Sequence, residues 1–270
     1  MDLVRARVAF RERSLLDVLD LAVRFCATHA GAYARLSLVT IAPGFAASWI
    51  GGHVGGWLLA WAVAIPGAAM ADAPFVALAS RLVFADHARV RDVARETLRA
   101  TPRLALVRFV QSLALLASAS VMLVPWIWLG GVLLFLPEVA ILEGARLGAT
   151  WSRAANVATS RLAVAVGTML LLTTVVVGVT LLADVAGREV LQTVLQFSPP
   201  PSMFREGWSA LALAGFWGVV PFRATTRFFV YLDIRTRVEG WDIQTRFGAL
   251  AVREQTERAV RVASVPPRAA

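Results

Sequence analysis

Three charged side chains stand inside long apolar runs: Asp72 in Ala71-Asp-Ala-Pro74, Glu138 in Leu136-Pro-Glu-Val139 and Arg223 in Pro221-Phe-Arg-Ala224. Glu143 and Arg227 follow close behind, and the five form a candidate intramembrane polar cluster. A charge in apolar surroundings is costly unless it finds a counter-ion or snorkels to water. The chemistry open to such a set is ion pairing that locks helices together, or a relay that carries a proton or a charged solute. The residue types predict that Arg223 or Arg227 pairs with Asp72 or Glu138. A packing salt bridge is the plainer use of that pair, a proton or substrate path the sharper one, and unpartnered snorkelling arginine the third.

Other chemistries lack their residues. His29, His53 and His87 are far apart and share no metal-ligand spacing. No Walker loop, dinucleotide fingerprint, nucleophile elbow or zinc-protease motif occurs. The glycines of Gly51-Gly-His-Val-Gly-Gly56 fall between two apolar runs and read as a turn. Glu138 and Glu143 are five apart with no histidine beside them, which suits structural pairing with arginines better than acid–base work. We therefore expect no catalytic residue, no cofactor, no metal and no enzyme. Cys26 is the only cysteine, so an intramolecular disulfide is excluded.

The elements that must position these charges follow from composition. Of 270 residues 58% are hydrophobic, against roughly 45–50% in a soluble domain. Long apolar runs carry the excess. We place apolar spans at about 33–50, 57–78, 162–182 and 208–231. The 39 residues from Leu104 to Leu142 hold two more, joined by a tight turn near Pro125. Three amphipathic helices lie outside the spans. The first is opened by a capping box, Ser14 with Asp17, and carries Leu15, Val18, Leu19, Ala22, Phe25 and Cys26 on one face. The second, within 81–103, carries Val90, Val93, Ala94, Thr97 and Leu98 on one face. The third covers about 144–160. Residues 183–207 read as a mixed loop with Ser198-Pro-Pro-Pro-Ser202 extended.

The net charge is +9, and every basic side chain other than histidine is arginine. These arginines stand between apolar runs, where topology explains them, so no nucleic-acid partner is expected. They cluster at the N-terminal segment, at 81–108, at 146–161 and from Arg223 onward. The positive-inside rule makes those segments cytoplasmic. The expected fold is all-α: a polytopic membrane protein with six transmembrane helices as three hairpins with cytoplasmic amphipathic helices. Its parts are a cytoplasmic segment with an amphipathic helix (1–31), a six-helix transmembrane domain (32–232) and a cytoplasmic tail (233–270). Arg35-Leu-Ser-Leu-Val39, Arg103-Leu-Ala-Leu-Val107 and Arg161-Leu-Ala-Val-Ala165 open three spans alike, and each partner span carries a proline: Pro74, Pro137 or Pro221. This reads either as a threefold parallel repeat or as a common way of entering a bilayer.

The tail has its own pattern. Asp233 with Arg237 and Arg235 with Glu239 are four apart, acid or base aligned on one helical face. Gly240 suits a helix stop and Asp242 the cap of a further helix, about 242–262. The stretch Phe229-Val-Tyr-Leu-Asp-Ile-Arg-Thr-Arg-Val-Glu-Gly-Trp-Asp242 resembles the closing motif of a broad group of bacterial multispan proteins. These are labelled as the membrane domain of glycerophosphoryl diester phosphodiesterase and as YciC-like families. Ser14-Leu-Leu-Asp-Val-Leu-Asp-Leu-Ala-Val-Arg24 is similar to that group's opening helix, and Glu143 to Asn156 to its mid-chain helix. The resemblance implies a six-helix membrane protein of the bacterial inner membrane without the phosphodiesterase barrel. On this reading the chain is a scaffold or accessory subunit that meets the lipid bilayer and a membrane or cytoplasmic protein partner. The alternative is a small-solute or lipid transporter using the polar cluster, which a deep pocket beside Asp72, Glu138 and Arg223 would favour over a closed core.

Overall fold

A computed structural model describes residues 14–85, 88–121, 123–143 and 147–238, and all regular structure among them is helical. The arginine-rich start, His87, Glu239, Gly240, Asp242 and the expected helix at 242–262 lie outside the described residues.

Helix α1 (Leu15–Thr28) starts as its sequence requires. The Asp17 amide donates to Ser14 Oγ at 3.2 Å, and the Ser14 amide donates to Asp17 Oδ2 at 3.0 Å, closing the capping box. Val18, Ala22 and Phe25 are buried, whereas Leu16 and Val23 face outward.

Helix α2 (Ala30–Phe84) doubles back at Gly56, whose φ of 66° and ψ of −157° belong to a region essentially confined to glycine. Trp217 packs against Gly44 and Gly67, on opposite sides of the bend, so the two arms run antiparallel. The turn expected over 51–56 thus narrows to one residue. Gly51 and Gly52 are helical and serve close approach instead, Gly51 to the Leu59 carbonyl and Gly52 to the Trp208 ring.

Helix α3 (Val90–Val121) runs without the expected boundary between an amphipathic stretch and a span. Between Val90 and Val121 there is no glycine or asparagine to stop a helix, and Pro102 is accommodated within it. The apolar face expected at 90–98 is split: Val93 is buried and Leu98 exposed. Helix α4 (Leu123–Val132) begins just before Pro125, where the turn was expected. After a turn at Leu133–Phe135, α5 (Leu136–Leu142) carries Pro137 in its first turn.

Helix α6 (Leu147–Ser160) and α7 (Leu162–Glu189) meet at Arg161, whose backbone is not helical. The fifth span, expected to end at Leu182, continues through Glu189 and a π-helical turn at Val190–Val194. Asp184, Arg188 and Glu189, read as loop, are therefore helical. A short α8 (Met203–Glu206) precedes α9 (Ala210–Gly218), which Ser209 caps by accepting the Ala212 amide at 2.9 Å. Helix α10 (Val220–Val238) follows after a joint at Val219 and carries Pro221 in its first turn. The stretch expected as one span over 208–231 is thus two helices. Pro74, by contrast, lies within unbroken helix.

Among the described residues four helical stretches are long and apolar enough to cross a membrane: Ala30–Val83, Val90–Ser120, Val124–Leu142 and Leu162–Val194. Burial sorts them. Only 17% of the most apolar part of α3, and 17% of that of α7, is buried, against 61% in α2. The core therefore sits where α2, α5 and α10 meet, around Phe75, Leu78, Phe135, Phe228 and Ile234, while α3 and α7 present Phe109, Leu113, Leu116, Val177 and Leu182 outward. Apolar surface on this scale is that of a protein whose outer face meets something other than water.

Helix α1 is tied into this core at one hydroxyl. Thr225 Oγ1 donates to the Pro221 carbonyl at 2.7 Å and accepts from Tyr33 at 2.8 Å and from the Cys26 thiol at 3.6 Å. Burial pushes the Cys26 thiol above its ordinary pKa. A thiol so raised holds less thiolate at neutral pH, so maleimide or iodoacetamide modifies Cys26 in folded protein more slowly than in unfolded chain, the gap closing as pH rises. Stopped-time alkylation read by mass spectrometry checks this. At the bend, Gly56→Ala costs about 1–3 kcal/mol through backbone strain alone, because an added Cβ there meets nothing within 4 Å. Gly148→Ala, in helical backbone with equal free space, is neutral or stabilising. Denaturant unfolding in mild detergent compares the two.

Candidate functional site

Asp72 projects from the second arm of α2 and is 1% exposed. Three arginines converge on its carboxylate. Arg223 of α10 donates from Nη2 to Oδ1 at 2.7 Å and from Nε at 3.2 Å. Arg227, one turn further along α10, donates from Nη1 to Oδ2 at 3.1 Å, and Arg108 of α3 donates from Nη2 to the same oxygen at 3.1 Å. Arg227 also bonds Glu138 of α5 through Nε at 2.5 Å. Spacing explains Arg223 and Arg227: four residues apart, they share a face of α10. The position of Glu138 in the first turn of α5 sets a carboxylate where the helix dipole favours it.

The five residues expected together divide into two groups. Asp72, Glu138, Arg223 and Arg227 form one. Glu143, the C-terminal cap of α5, belongs to another: it accepts from Arg235 at 2.7 Å, from the Tyr231 hydroxyl at 2.9 Å and from Arg153 of α6 at 2.7 Å. The reason is helical phase, since five residues turn Glu143 away from the face that carries Glu138. In the tail motif, Arg237 donates to Asp233 at 3.0 Å, the expected four-residue pair. Arg235 reaches across to Glu143 at the end of α5; Glu239, its expected partner, lies outside the described residues.

Two contributors escaped the sequence reading. Arg108 was grouped with the arginines of a cytoplasmic stretch, yet it enters the core and also donates to Gln111 at 3.1 Å. Its signal was its setting, Leu106-Val-Arg-Phe-Val110, apolar on both sides. Gln111 in turn donates to the Leu133 carbonyl at 2.9 Å, beside the Leu136 amide that the same carbonyl accepts at 3.2 Å. Asp184, assigned to a loop, is fully buried in α7. It accepts from the Ser209 hydroxyl and from the Met203 amide at 3.2 Å.

The first group is not sealed. A cavity of about 300 Å³ lies beside it, lined by Asp72, Arg108, Arg223 and Arg227 at one end and by Leu134, Met169, Leu172, Val176 and Phe216 over the rest. Among the described residues no cluster of histidine, cysteine, aspartate and glutamate could hold a metal ion. What the arrangement offers is a fixed array of guanidinium donors against an apolar wall.

Removing one charge from each group separates their weights. Asp72→Asn leaves three guanidiniums short of their shared acceptor in a buried setting and costs about 3–5 kcal/mol. Glu143→Gln costs about 1–2 kcal/mol, because its partner Arg153 is 58% exposed. Denaturant midpoints of the two variants check the order. No protein-family model, no curated protein and no solved structure matches this chain.

Proposed function

We propose that the chain is a six-span protein of the bacterial cytoplasmic membrane, both termini cytoplasmic, that holds a small solute or lipid beside Asp72 and catalyses no reaction. One observation carries this: the cavity at the ion-paired cluster. A cleft of apolar wall with a few convergent polar groups is the usual form of a ligand site. Contacts support the three-hairpin arrangement: the arms of α2 pack together, α3 packs on α4 and α5, and α7 packs on α9. Arginine placement supports the orientation. Arg35 stands near the start of α2 and Arg161 just before α7, while the joint at Gly56 is uncharged.

A scaffold role is the second reading, favoured by Leu16 and Val23 exposed along α1. Mass spectrometry of material purified with the full-length protein decides between them. The expected result is a small solute or lipid retained by the wild type and lost from Leu172→Trp, which fills the cavity. Absence of any such molecule, with a protein partner lost from a Leu16→Ser, Val23→Ser variant, would move the assignment to the scaffold.

A further inference from the structure

We infer that the cavity takes the anionic head of a single-chain amphiphile, a phosphate or carboxylate, that enters sideways from the bilayer between α2 and α7. This rests on the ligand-holding reading above and names its substrate class.

The head group follows from charge. Asp72, Arg108, Arg223 and Arg227 line the cavity, and with Glu138 buried behind Arg227 the ion-paired group holds three guanidiniums and two carboxylates. Gln111 is the neutral member. The group is therefore one negative charge short, and uncompensated charge in a low-dielectric interior is strongly disfavoured. Arg227 is 7% exposed, and its Nη2 makes no hydrogen bond. Glu138 Oε2 likewise makes none. An oxyanion would supply the missing charge and accept from the guanidiniums that reach the cavity, Arg108 and Arg223, 15% and 18% exposed.

The tail and the route follow from the walls. Away from the arginines the lining is apolar. Its rim includes Ile65 on α2 and Val177 on α7, 57% and 50% exposed. Both lie well inside their helices rather than at the ends, on surfaces that face outward. A soluble anion would have to cross hydrocarbon to reach such a mouth, whereas an amphiphile is already there. A volume of about 300 Å³ is at the small end for ligand sites, enough for one head and part of one chain.

The test is native mass spectrometry of the full-length protein in neutral detergent, titrated with lysophosphatidate, oleate, lysophosphatidylcholine and inorganic phosphate. Lysophosphatidate and oleate bind about tenfold or more tighter than lysophosphatidylcholine, whose choline cancels the charge, and inorganic phosphate does not bind. Arg227→Gln weakens both ligands. Val177→Trp, at the mouth and away from every charge, weakens them about tenfold with an unchanged melting temperature, and remains informative if the arginine variant does not fold. Equal binding of lysophosphatidylcholine overturns the anion assignment. Inorganic phosphate binding that Val177→Trp leaves intact overturns the lipid route while keeping the ligand-holding reading. Binding of no probe, with nothing retained on purification, removes both.

Discussion

One carboxylate organises this molecule. Asp72 is buried and receives guanidinium donors from α3 and from two turns of α10, and Arg227 extends the network to Glu138 on α5. Three stretches of chain therefore meet at one charge, and a fourth joins them through Arg227. In water such pairs contribute little, because solvent screens them and competes for every donor. In an apolar interior the same pairs become nearly obligatory: each partner, left alone, would be an unsolvated ion. The cluster thus specifies which face of α2, α3, α5 and α10 turns inward. The Phe75, Phe135 and Phe228 packing around it fills the space that this choice defines.

The helices that deliver these charges are interrupted. The joint at Leu133–Phe135 precedes Pro137 and Glu138, and the joint at Val219 precedes Pro221 and Arg223. At both joints the proline sits in the first turn of the helix that follows, where its missing amide hydrogen costs no ladder bond. A break in apolar surroundings is tolerated only when its freed backbone groups are satisfied within the protein. At the first joint the Leu136 amide does this for the Leu133 carbonyl, and Gln111 adds a second donor while accepting from Arg108. The backbone joint and the charge cluster are one network.

Small residues set how closely the helices approach. Gly44 and Gly67 lie against the Trp217 indole, and Gly52 lies against Trp208. Either tryptophan would collide with any larger side chain there. The glycine-rich stretch thus has two unrelated roles: Gly56 supplies a backbone conformation, whereas its neighbours supply room. Only coordinates separate the two, since the residue type is the same.

Much was legible from order and spacing. The capping box at Ser14 and Asp17, the helical class, the apolar runs and the Asp233–Arg237 pair all depend on interactions within a few residues, which sequence encodes directly. The inward turn of Arg108, the burial of Asp184, the division of Glu143 from Glu138 and the meeting of Arg235 with α5 were not. Each depends on which distant helix lies opposite, and that is settled by summed packing and charge satisfaction across the whole bundle. The sequence by itself determined that this chain carries costly charges in apolar helices. The tertiary structure decided which charges meet and that a space remains beside them. In a low-dielectric interior a charge is placed by its partners, and its partners lie far away along the chain.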